Sequence, residues 1–184
     1  MTFDYPGYEL RFVQKKPCKD GSAHLFTLIY KFYSPVTKYW YILNADYHSE
    51  NIFAIKFYCK KDSKSDFKYS KIINKGDHGN ILVTCAKVIP LLLKEYPTAS
   101  FGFSASRSVD SSNKTVEPYT LNQRFKTYKY IAANKFGPAT FTHFEYPIIS
   151  CYLMLNNFWP DIKNKEQAIV KMFAETYNTL PDLG

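Results

Sequence analysis

The stretch ILVTCAKVIPLLL, residues 81–93, decides how this chain is read. Its apolar residues Ile81, Leu82, Cys85, Val88, Ile89, Leu92 and Leu93 recur at steps of three and four, which makes one wide helical stripe. Pro90 lies inside it and predicts a kink, because proline lacks a donor and crowds the preceding turn. Tyr96-Pro97 ends the stretch. Everything upstream has a different period. HLFTLIYKFY (24–33) and KYWYILNA (38–45), joined by the turn-like Ser34-Pro35-Val36-Thr37, are rich in aromatic and β-branched residues and read as a hairpin. IFAIKFYCK (52–60) is the next strand, and FKYSKII (67–73) alternates with period two after a polar turn at 61–66. A shorter strand is expected over Tyr8 to Val13.

Downstream, ASFGFSAS (99–106) reads as a buried strand and residues 110–114 as a loop. A second helix is expected from Asn122 to Lys135, with Leu121, Phe125, Tyr128 and Ala132 on one side and Gly137-Pro138 as its stop. Thr140–Tyr146 and Ile149–Asn156 form a strand pair around Pro147. A last helix, with Asn164 as N-cap and Gln167 at the capping-box position, carries the stripe Ala168, Ile169, Met172, Phe173, Thr176, Tyr177 and Leu180. The expectation is one α+β domain, with a mixed, mostly antiparallel sheet of seven or more strands and helices packed on it.

Composition sets the class. A chain of 184 residues that is 46% hydrophobic and 18% aromatic has ample material for one core and is too apolar for disorder. Cys18, Cys59, Cys85 and Cys151 are widely spaced, with no zinc-ribbon pattern, and are expected to be free thiols in reducing cytoplasm. The first residues lack the basic and apolar regions of a signal peptide. The longest apolar run, Val88 to Leu93, is too short for a bilayer, so no membrane partner is expected. The net charge of +8 rests on lysine, since Arg11, Arg107 and Arg124 are the only arginines. Guanine- and phosphate-reading sites lean on the arginine fork. A solvated lysine surface accounts for the charge, with nucleic acid as the other partner it allows.

From Lys38 onward the element order is a three-strand meander, helix, strand, helix and final strand pair. It resembles the core of the GNAT acetyltransferases. The resemblance implies an acyl-CoA-dependent N-acyltransferase that uses acetyl-CoA on a small-molecule or peptide amine, or a binding or regulatory module on the same fold. It implies that the strand Ala99–Ser106 splays from the preceding meander strand, and that the turn Asn74, Lys75, Gly76, Gly79 and Asn80 faces the cofactor diphosphate. Backbone N–H groups at a helix N-terminus suit that task. Asn74 stands at the family's Gln/Arg position and Asp77 at its first glycine. The alternative for Asp77 is a helix cap. The two helices that follow the family's first strand are absent here.

Acetyl transfer to an amine needs a base, a polarised carbonyl and an acid for the leaving thiolate. Tyr128 and Tyr130, on the helix after the splayed strand, are the acid candidates that the resemblance implies, with packing as their other role. Glu145 and Glu50 are the carboxylates available as base. Ser104 and Ser106, beside Arg107, end a strand where a ligand can be met. His24, His48, His78 and His143 are scattered, so no metal site is expected.

Overall fold

The computed structural model describes residues 4–71, 75–106, 109, 110, 115–118 and 120–177. Strands β1 (Arg11–Pro17), β2 (His24–Ser34), β3 (Tyr39–His48) and β4 (Ile52–Cys59) form an antiparallel meander. Helices α1 (His78–Ala86) and α2 (Val88–Glu95) lead to β5 (Ser100–Ser104). Two-residue strands β6 (Val109–Asp110) and β7 (Thr115–Val116) pair with each other. Then come α3 (Gln123–Lys135), β8 (Phe141–Tyr146), β9 (Cys151–Asn156) and α4 (Ile162–Thr176). The main sheet has seven strands in the order β1-β2-β3-β4-β5-β9-β8. Its one parallel pair is β4 with β5, which requires the crossover that α1 and α2 provide. The fold is α+β, with a mixed, mostly antiparallel sheet, as the residue patterns predict.

Strand alternation divides the core. One face packs Phe32, Leu43, Phe53 and Phe101 against Ile81, Val88, Leu92 and Phe125 of the three central helices. The other packs Ile52, Leu153 and Leu155 against Ile169 and Met172 of α4. Burial of each large apolar side chain contributes about 1.5–3 kcal/mol. The buried parts of the predicted stripes thus find a sheet face; Leu121, which precedes α3, is exposed, and Leu180 lies outside the described residues.

Four local expectations are corrected. The 81–93 stripe is two helices broken at Lys87, and not one kinked helix. Pro90 is the third residue of α2, where its missing N–H has no helical acceptor to lose. The last helix starts at Ile162 and its cap is Asp161, whose carboxylate accepts from Asn164 N at 3.0 Å. The first strand begins at Arg11, because residues 4–10 lie across α1 instead: Gly7 N donates to Asn80 Oδ1 and Tyr8 N to Thr84 Oγ1. Over the described part of 67–73 there are turns and a single bridge residue, not a strand. The sheet position beside β4 is taken by β5, and the carbonyls of Tyr69, Ser70 and Lys71 accept from the Arg124 guanidinium.

Candidate functional site

Strands β4 and β5 pair at only three positions, Ile52 with Ser100, Phe53 with Phe101 and Ala54 with Gly102. Beyond them β4 continues beside β3 alone, while β5 continues beside β9. Two parallel strands thus part in mid-sheet. Gly102 sits at the parting because a Cβ there would press on Leu153 at 2.9 Å. A cavity of about 340 Å³ fills the opening.

The cavity meets both faces of the sheet. On the side of the central helices it is lined by Ile55, Phe57, Phe103, Cys85 and Tyr128, among others. Burial pushes both the Cys85 thiol and the Tyr128 hydroxyl well above their ordinary ranges, so both stay protonated. Tyr128 packs edge-on against Phe103, with ring centroids 5.6 Å apart. On the α4 side the wall becomes polar, with Asp46, Lys56, Tyr69 and Tyr177. The Lys56 ammonium is 2.6 Å from the Asp46 carboxylate, which also accepts from Thr27 Oγ1 at 2.6 Å. Burial works against the charge on Lys56, but Asp46 outweighs it and holds the ammonium pKa above the ordinary lysine value. Tyr177 donates to His48 Nε2 at 2.7 Å, and His48 Nδ1 bonds Asp46 O at 2.9 Å. Burial, with His24 stacked beside it, lowers the His48 pKa to about 4, so the ring is neutral at pH 7. Asn44 Nδ2 donates to Tyr69 at 3.2 Å, and its buried Oδ1 has no hydrogen-bond partner.

Of the predicted chemical residues, Tyr128 lines this cavity, as do Ser104 and Ser106. Tyr130 and Glu145 are not among its lining residues. Glu145 lies on β8 and pairs with Lys129 at 2.7 Å, and Glu50 pairs with Lys165 at 2.8 Å. Asn74 and Arg107 lie outside the described residues. Lys75 and Gly76 are exposed, with the Lys75 ammonium 4.5 Å from the centre of the Tyr39 ring. Gly79 is buried under Tyr5, and Asn80 holds Gly7 N. Asp77 is 3% exposed and is not a cap by its side chain. Its carboxylate accepts from Tyr8 OH at 2.7 Å, Asn80 Nδ2 at 3.0 Å and Ser34 Oγ. An internal carboxylate and the segment Tyr5–Tyr8 therefore sit where the resemblance implies a diphosphate. Among the described residues no group of three or more His, Cys, Asp or Glu could hold a metal ion, and no helix is long and apolar enough to cross a membrane.

The polar wall escaped the sequence reading because its members span residues 46 to 177. One signal was present: Asn44, Asp46 and His48 alternate on β3, a polar edge on a strand otherwise rich in apolar residues. Comparison of the chain with known protein families, with curated proteins and with solved structures found no match.

Proposed function

We propose that the protein is a GNAT-like ligand-binding module, and that its ligand is a slim apolar or acyl-bearing small molecule held where β4 and β5 part. The observation that carries this reading is the cavity itself. Apolar walls with a few convergent polar groups are the usual make-up of a small-molecule site. The unpaired edges of two strands add backbone donors and acceptors to it. The meander, the helical crossover to a parallel strand that splays, the following helix and the closing strand pair all support the resemblance.

A second reading, an acyl-CoA-dependent N-acyltransferase acting on an amine, is favoured by Tyr128. Tyr128 lines the cavity and keeps its proton, as an acid for a leaving thiolate must. Against it stand Asp77 and Tyr5, which fill the turn at 75–80 that would otherwise meet the cofactor diphosphate.

Thermal denaturation with octanol, octanoate, acetyl-CoA and CoA separates the two. A ligand held at a hundred times its Kd stabilises the native state by about 2.7 kcal/mol. The module reading expects octanol or octanoate to raise Tm in the wild type, and expects Ala54→Leu, which fills the opening, to abolish the rise. A rise with acetyl-CoA and CoA alone, together with release of free thiol when an amine is added, supports the transferase instead. No shift with any of the four at millimolar concentration overturns both.

A further inference from the structure

The half of the sheet that α4 leaves uncovered is a second surface. The apolar cluster under α4 draws on β4, β8 and β9 and takes no residue from β1, β2 or β3. On that same side of the sheet, strand alternation aligns Arg11, Lys31, Ile42 and Tyr58 in one row across four strands. The pair Tyr33 and Trp40 forms the next row, ring centroids 5.3 Å apart. Tyr33 is 40% and Trp40 37% exposed. Tyr58, at the end of the first row, packs edge-on against Tyr69, with centroids at 5.4 Å. Lysines are interleaved: the Lys31 ammonium lies 5.2 Å from Trp40 and that of Lys68 4.5 Å from Tyr58. Arg11 is paired with Glu9 and Lys56 with Asp46, but none of the ion pairs among the described residues involves Lys31 or Lys68.

We infer that this open face binds single-stranded nucleic acid without sequence preference. Adjacent strands are about 4.8 Å apart, so rings on neighbouring strands meet successive unstacked bases. Every base has a π-face, and stacking on such rings tolerates any sequence. The lysines that now rest on the rings are long enough to swing to the phosphates. Lysine, a point charge, suits backbone neutralisation, and the scarcity of arginine that argues against base readout does not count against it. A positive aromatic platform also fits this occupant better than an uncharged protein partner. The face meets the cavity only at Tyr69; Tyr33, Trp40, Tyr58, Lys31 and Lys68 do not line it, so the platform does not depend on the ligand proposed there.

The test is fluorescence anisotropy with a labelled single-stranded oligonucleotide of about 12 nucleotides, within the reach of one small domain, and with the duplex of the same sequence. The variant Trp159→Phe leaves Trp40 as the sole tryptophan, so quenching on titration reports stacking at the site. The proposal expects tighter binding of the single strand than of the duplex, quenching of Trp40, and roughly tenfold weaker binding in Trp40→Leu and Tyr33→Ala. Lys31→Ala with Lys68→Ala should flatten the salt dependence by about 0.7 per lysine in log–log slope. Circular dichroism and Tm confirm that each variant is folded. Equal binding of duplex and single strand without quenching reduces the effect to lysine charge and overturns the proposal. No binding overturns it too, and so does a wild-type dimer that Trp40→Leu dissociates, since a second copy would then own the face.

Discussion

A Cβ on Gly79 would stand only 2.2–2.5 Å from carbons of the Tyr5 ring, far closer than van der Waals contact. Gly7 N and Tyr8 N, bonded to side chains of α1, anchor the backbone beside Tyr5. Gly79→Ala must push the ring away and should cost about 1 kcal/mol, the low end of overpacking, because Tyr5 is 44% exposed and can swing aside. In a Tyr5→Ala background the same change should turn neutral or favourable, since alanine is the better helix former by about 1 kcal/mol. Urea unfolding of the four proteins in this double-mutant cycle measures the coupling.

Asp77 separates a cap from a buried acceptor. A capping aspartate tolerates glycine at a cost of a few tenths of a kcal/mol. Here the carboxylate satisfies Tyr8, Ser34 and Asn80. Asp77→Gly and Asp77→Ala should therefore destabilise alike, by about 2–3 kcal/mol, because both leave buried donors unmet. Equal shifts in the urea midpoint check this, and a glycine variant close to wild type refutes it.

Acid should weaken the protein through His48. Its folded-state pKa, lowered to about 4 by burial, lies below the ordinary 6.5. Between these values the unfolded chain binds a proton that the native state refuses, so stability is complete above pH 6.5 and falls as pH drops toward 4. The loss is of order 2–3 kcal/mol. His48→Gln should flatten the stability curve across this window, measured by urea unfolding at a series of pH values. Its amide can still donate to Asp46 O or accept from Tyr177.

Arg124 holds the turn at 67–71 by donating to three carbonyls. Lysine has no planar fork and cannot repeat that pattern. Arg124→Lys should cost about 1–2 kcal/mol and should raise amide hydrogen exchange locally at residues 67–71. Exchange that rises equally throughout the sheet would count against a local staple.

Much of this was legible in the residues. The periods of two and of three to four placed β2, β3, β4, β5, β8, β9 and the helical stripes, because each element shows its buried face in its own sequence. FKYSKII shows the limit: it has the strand period, yet at 67–71 it makes turns. Periodicity reports that alternate side chains are apolar, but not whether a sheet edge is open, and here β5 had taken the place beside β4. The candidate turn at Asn74–Asn80 is legible as a glycine-bearing helix start, but Tyr5 over Gly79 and two of the donors to Asp77, Tyr8 and Ser34, come from segments 43 to 74 residues away in the chain. No local pattern records such contacts.

The sequence alone determined the α+β class, the strand-rich first third before residue 60 and the helices that follow, since propensity and period act over a few neighbouring residues. The tertiary structure decided the strand order, the three-residue pairing of β4 with β5, the cavity where they part, and the gathering of Tyr33, Trp40, Tyr58 and lysines on the uncovered face. Those depend on which edges pair and which faces a helix reaches. The free energy of long-range packing settles both, and no window of the chain contains it.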